Sequence, residues 1–464
     1  MIYLQLEELK KGTEGILRIA GDRVEILDAG TLQQTFIDDL IYTAVFSDHE
    51  DVRKAARWII RRTGAAAGIH SASIQSLYEA MGRKEVAGFT VPAINIRALT
   101  YHSAQAVLRA VMKLNVGPVI FEIARSEIDY TRQRPEEYTC AVTAAAIKVG
   151  YRGPLFLQGD HFQINAGKFT QNPDKEVQAV KDLIWEAIEA GFYNIDVDTS
   201  TLVDLTKKTV KEQQKLNYTL AAELTTMIRD LEPAAVTVSV GGEIGEVGGK
   251  NSTEEELAAF MDGYREELRK IDETMKGISK ISVQTGTSHG GVPMPDGSIA
   301  EVKLDFDTLA KLSEAARVTY GLSGAVQHGA STLPEEAFDR FPAVGTAEVH
   351  LATGFQNIIY DSSHLPADIK SRIYNYLNKE CRGEKKESDT EEQFLYKTRK
   401  KGFGPFKRDL WELPPDHLTA LGAELESQFS FLFKKLHVGD TKKILESFVK
   451  PEDVSLKAPS GLKE

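Results

Sequence analysis

Three of the ten histidines stand where a metal ion could be held. Each ends an apolar or β-branched run and has a glycine within two residues: His161 in "LFLQGDHFQ", His289 in "GTSHGG" and His328 in "QHGAS". A lone histidine at a strand end reads as a hydrogen-bonded structural residue. Three at one mouth suit Zn²⁺, because three neutral imidazoles leave a coordination position open for substrate oxygens. Asp160 precedes His161 directly, so a carboxylate beside the ion could serve as a general base. Two further acids, Asp198 in "NIDVDTS" and Glu243 in "VSVGGEIGEVGGKN", could orient a ligand imidazole, with a rim salt bridge as the competing reading. Residues 241–249 are too rich in glycine for a packed helix and read as a mobile loop that closes on substrate. The turns at 289–291 and 328–332 cluster backbone N–H groups, with the Ser331 hydroxyl among them, as an oxyanion would require.

Such residues need a frame that gathers strand ends. Eight apolar or β-branched runs recur at 88–95, 117–124, 153–160, 193–200, 235–245, 278–290, 324–331 and 347–353. Stretches such as "YHSAQAVLRAVMKLN" and "DTLAKLSEAARVTY" separate them and carry apolar residues at helical spacing. Eight strands each followed by a helix predict an α/β fold, a (β/α)₈ barrel, over 72–361, with catalytic groups at the carboxyl ends of the strands. No GxGxxG follows the first run, which argues against a dinucleotide site.

Before the barrel, residues 1–71 read as a small α+β extension. It has a hairpin around Gly21-Asp22 and a helix that stops near Gly68. After it, 362–464 read as a helical extension. Its segment "KECRGEKKESDTEEQFLYKTRKKGFGPFKR" is expected to be an exposed connection. The stripe Leu418, Leu421, Leu425, Phe429 and Leu432 is expected to be core or subunit contact.

The 464 residues are 42% hydrophobic and 27% charged, an ordinary globular composition. A net charge of −12 argues against a nucleic-acid partner, and no apolar stretch reaches membrane-spanning length. Two cysteines, Cys140 and Cys381, offer neither a disulfide framework nor a cysteine metal site. The start lacks the basic-then-apolar form of a signal peptide, so the expected setting is cytoplasmic.

Taken together, "GFTVPAINIRA", "LFLQGDHF", "GGEIGEVGG", "GTSHGG" and "HGAS" resemble the class II, zinc-dependent ketose-bisphosphate aldolases from about residue 74 to 360. The resemblance implies a Zn²⁺ ion held by His161, His289 and His328, with Glu243 as an alternate contact and a monovalent cation as a further cofactor. It implies Asp160 as the acid–base residue at the hydroxyl of the carbon being cleaved. Asn95, Gly290, Gly329, Ser331 and Thr353 would hold the substrate and its phosphate. A small phosphorylated sugar, fructose 1,6-bisphosphate first, and a homo-oligomer are implied as well.

Several positions depart from that family. The loop glutamate that would shuttle the second proton is Asn251 here, which leaves Glu246 as first candidate and Glu254–Glu256 as second. The triad Glu254–Glu256 also reads as a plain helix start capped by Ser252 or Thr253. Strand eight has His350, Ala352 and Thr353 in place of an Asn-x-Asp-Thr pattern, and strand two ends in Ala124-Arg125 instead of a serine. Substrate identity is therefore open between a ketose bisphosphate, another ketose 1-phosphate and an acidic sugar analogue. A metal-dependent isomerase or epimerase, or a non-catalytic structural subunit, are the other readings.

Overall fold

The computed structural model describes residues 1–245, 250–286, 294 and 304–462. Its centre is a closed barrel of eight parallel strands, as expected. These are β1 Val91–Asn95, β2 Ile120–Ala124, β3 Gly153–Gln163, β4 Asn194–Asp198, β5 Ser239–Glu243, β6 Lys280–Val283, β7 Ala325–Gln327 and β8 Glu348–Leu351. Each strand pairs with the next, and β8 pairs with β1 to close the ring. Helices cover the outside, so the strands are buried on both faces and carry apolar residues at their outward positions. Side-chain caps fix where several helices begin. Thr253 and Glu256 form a capping box for Glu254–Ile271, and Asn172 caps Pro173–Glu189.

Strand β3 explains how an adjacent Asp and His can serve one site. In a regular strand neighbouring side chains point to opposite faces. Here Gly159 pairs with Ile195 and Phe162 with Val197, so Asp160 and His161 together stand opposite the single residue Asp196. This is a β-bulge, and His161 takes up the turn with a left-handed backbone, φ +42°. Both side chains reach the same cavity as a result. The bulge also folds the Phe162 ring over Gly159, where a Cβ would lie 2.4 Å from the ring. Gly159→Ala is expected to push Phe162 out of place and lower stability by about 1–3 kcal/mol, as overpacked cores do. A urea denaturation midpoint equal to the parent's would contradict this account of the bulge.

Beneath the carboxyl ends the barrel interior is charged. Lys280 on β6 is fully enclosed and donates to Gln158 (2.7 Å), Asp196 Oδ2 (3.2 Å) and Glu348 (2.5 Å). The Tyr78 hydroxyl also donates to Glu348. Gly241 on β5 leaves room for this arrangement. A Cβ there would lie 2.2 Å from Asp196 Oδ1 and 2.9 Å from Lys280 Cε. The glycine-rich run expected to be a loop from residue 241 is thus strand through Glu243, and 246–249 lie outside the described residues.

Both extensions pack on the barrel. The N-terminal hairpin pairs Leu17–Ala20 with Arg23–Ile26, and the helix Glu50–Ala66 ends before Gly68. The strand Ile69–Ser71 then lies parallel to the start of β3. In the C-terminal part, helix Pro415–Lys435 buries Leu421, Leu425, Phe429 and Leu432, while Arg109 on helix Thr100–Lys113 pairs with Glu426 at 2.7 Å. The stripe read from the sequence is therefore core.

The segment expected to be an exposed connection is folded instead. It forms a helix at Glu391–Thr398 and a 3₁₀ turn at Arg399–Gly402. Phe394 and Phe403 are buried there, Phe403 stacking on Tyr360 at 5.0 Å. Its high charge hid two aromatic anchors. No helix among the described residues is long and apolar enough to cross a membrane.

Candidate active site

At the carboxyl ends of the strands lies a cavity of about 370 Å³. Eight of the residues singled out from the sequence line it: Asn95, Asp160, His161, Glu243, His328, Gly329, Ser331 and Thr353. His289, Gly290 and Glu246 lie outside the described residues. Asn251 is exposed and donates to Asp305 at 3.1 Å, away from the cavity lining.

His161, at the β3 bulge, and His328, just past β7, have rings 4.1 Å apart between centres. Glu243, the last residue of β5, lies between their nitrogens, 3.2 Å from His161 and 3.9 Å from His328. One atom from each of the three falls within 4.8 Å of the others. Asp198 at the end of β4 lies 2.9 Å from His161 Nδ1 and also accepts from Ser200 and Gln163. A carboxylate in that position can only accept, which fixes the neutral ring with its proton on Nδ1 and its lone pair on Nε2. Of the two readings weighed for Asp198, orientation of the imidazole is the one the contacts match.

The donor set fits a divalent ion. Two imidazoles and a carboxylate are the mixture that borderline cations such as zinc take. Without a cation, buried acids crowd each other: burial and then the Asp198 carboxylate push Glu243 up to about 8. Burial lowers the basicity of His161, yet Asp160, Glu243 and Asp198 outweigh it and raise the ring well above its ordinary value.

Asp160 sits beside this group with one oxygen 3.2 Å from His350 Nδ1 and the other 3.4 Å from the Asn95 amide. Asn95 in turn donates to Glu127 at 2.6 Å, and Glu127 pairs with Arg97 at 2.7 Å. His350 on β8 is held from both sides, by Asp160 and Glu122 at Nδ1 (3.2 and 3.1 Å) and by Glu348 at Nε2 (2.6 Å). Burial opposes charge on this ring, but the surrounding carboxylates raise its pKa well above the usual value. Burial and then Asp160 raise Glu122 in turn. His350 is thus locked among acids, linking Asp160 to the Lys280 cluster below.

The anion turn is partly engaged already. The Ser331 hydroxyl accepts from the Ala352 N–H at 2.5 Å, and Thr353 Oγ1 accepts from Arg97 at 3.4 Å. Arg125, which could have brought positive charge to the end of β2, pairs with Glu176 at 2.5 Å.

Sequence reasoning did not single out Glu122, Asp196, Lys280 and Glu348 as one group. A signal was present: Glu122 and Lys280 are lone charges in apolar strands, and Asp196/Asp198, Glu348/His350 and Gln158/Asp160 repeat at spacing two, the period of an inward face.

A family model described as fructose-bisphosphate aldolase class-II matches residues 75–401, spanning the entire barrel and the 3₁₀ turn beyond it. The chain belongs to that family. Among solved structures, this aldolase-family chain is similar to a fructose-bisphosphate aldolase from Campylobacter jejuni. The two are 19% identical over 80% of this chain and 97% of that one, with a TM-score of 0.49. A probable tagatose 6 phosphate kinase from Sinorhizobium meliloti 1021 is 18% identical over 80% and 96%, with a TM-score of 0.51. A fructuronate-tagaturonate epimerase from Cohnella laeviribosi is 12% identical over 91% and 93%, with a TM-score of 0.57. At these identities the likeness is one of fold.

Proposed function

We propose that this class-II aldolase family member performs metal-dependent retro-aldol chemistry on a six-carbon ketose with an anionic terminus. The observation that carries this reading is the β3 bulge, which puts Asp160 into the cavity beside the His161–Glu243–His328 group. His289 belongs to the same reading as a third histidine, and Glu246 as the second proton carrier. A divalent ion held by these residues would supply Lewis acidity to the charge that develops beside the ketone, worth several kcal/mol in such reactions.

The protein groups do the rest. Asp160 takes the proton from the C4 hydroxyl, the C3–C4 bond breaks, and its electron pair stays beside the C2 carbonyl. Asn95 and His350 hold the two Asp160 oxygens, so the carboxylate keeps one orientation through the transfer. In the reverse direction the C3 electron pair adds to the aldehyde carbon, re-forming the C3–C4 bond, and Asp160 returns its proton to the C4 oxygen; if the aldehyde has turned its other face first, C4 is inverted.

Two outcomes share this step, and the structure favours re-addition on an acidic ketose such as a hexuluronate. The C-terminal segment reaches into the cavity with Lys400, and strand eight has His350 and Ala352 where the family pattern has Asn and Asp, keeping only the Thr353 hydroxyl. The epimerase from Cohnella laeviribosi, whose sugars differ at C4, matches 91% of this chain, more than the barrel alone. Cleavage of fructose 1,6-bisphosphate is the second reading, supported by Gly329, Ser331 and Thr353 at the cavity wall.

The purified protein is expected to carry about one divalent ion per chain, lost in His161→Ala and His328→Ala. Metal-loaded protein is expected to convert ¹³C-labelled fructuronate to its C4 epimer by NMR, with no three-carbon fragment accumulating, and to stop in chelator. Accumulation of trioses from fructose 1,6-bisphosphate would select cleavage. Turnover of neither sugar with the metal bound would refute the proposal.

A further inference from the structure

The C-terminal segment supplies a charge that the barrel does not neutralise. Lys400 lies in the 3₁₀ turn Arg399–Gly402, whose position is fixed by buried Arg399 through Asp361 (2.8 Å) and Asn357 (2.5 Å). Its side chain lines the cavity, with the ammonium 5.7 Å from the centre of the Tyr130 ring. Among the described residues, no carboxylate lies within ion-pair distance of it. Burial and then the nearby Arg97 guanidinium lower its basicity, the signature of a cation lacking a partner. The Tyr130 hydroxyl lines the same cavity, is buried, and has no hydrogen-bond partner among the described residues. A buried donor left unmatched is costly unless a ligand completes it. Arg97 stands on the same wall, anchored by Glu127.

We propose that Lys400, the Tyr130 hydroxyl and Arg97 form the subsite that receives the anionic terminus of the ketose, so that the C-terminal segment sets substrate choice. This rests on the acidic-ketose reading above. A carboxylate and a phosphate share the chemistry the three donors recognise, since each offers several acceptor oxygens to a cation and a hydroxyl. None of its three residues comes from β7 or β8, although Arg97 also donates to Thr353 at 3.4 Å.

The test is calorimetry on the full, metal-loaded chain with fructuronate, fructose 6-phosphate and neutral fructose, run with Asp160→Asn in the parent and in every variant so that binding is read with turnover suppressed. Lys400→Met is expected to weaken the matching anionic ketose by about tenfold or more while leaving fructose unchanged. Lys400→Arg should restore most of the affinity, and Tyr130→Phe should show a smaller loss. Metal content and melting temperature, compared with the parent, establish that the variants fold. Dependence on Lys400 with fructuronate alone identifies a carboxylate, and with fructose 6-phosphate alone a phosphate; either supports the subsite. Equal affinity of parent and Lys400→Met for both anionic sugars, or a parent that binds neither more tightly than fructose, would overturn it. Binding through Lys400 with no turnover of either sugar when Asp160 is intact would refute the reaction and leave the subsite standing.

Discussion

Asp160→Asn is expected to lower turnover by about 10²–10⁴-fold, the usual contribution of a positioned acid–base group, while the chain keeps its fold and its metal. The amide is nearly isosteric, so the Asn95 and His350 contacts lose charge but little shape. Among the described residues, no other carboxylate can take over the task from the same place. Glu122 lies beneath, tied to His350 and Gln158, and Glu243 is committed to the histidine pair. Steady-state rates on the productive ketose, with metal analysis beside them, decide the matter. Near-parental turnover in Asp160→Asn would move the base elsewhere.

The second large effect concerns stability. Lys280→Met is expected to cost about 3–5 kcal/mol, because it strips the ammonium that pairs with Asp196 and Glu348 and leaves those buried carboxylates only the His350 ring. The loss should appear as a lower urea midpoint in the metal-loaded protein. Adding Glu348→Gln should recover part of it, since the second change removes one of the stranded charges. An unchanged midpoint in Lys280→Met would mean that the interior charges are neutral or hydrated, and the account of the barrel floor would fall.

The barrel was legible because alternation of apolar strands with amphipathic helices is a property of local pattern. So were Asp160, His161 and His328, whose strand-end positions and glycine neighbours stand out in one dimension. The remainder depends on register. That Asp160 and His161 share a face follows from one extra residue against Asp196, which no window on β3 alone contains. Lys280, Glu348 and Glu122 each look like an isolated charge until the ring closes and stacks them. Lys400 was hidden for a different reason. In "KTRKKGFG" a run of basic residues reads as a solvated surface, and only the anchoring of Arg399 turns one of them inward.

The bulge at Gly159–Phe162 also limits how such a site can arise or be lost. Deleting a single residue there would restore one-to-one pairing with β4, so that either the acid or the imidazole is lost or turned to the outer face, while Gln163 keeps its place opposite Asp198. Point substitutions along a regular strand cannot produce two adjacent inward groups; a change in chain length is required. A lineage that gained this residue could assemble base and ligand in one event, and relatives lacking it would need to draw the two from different strands.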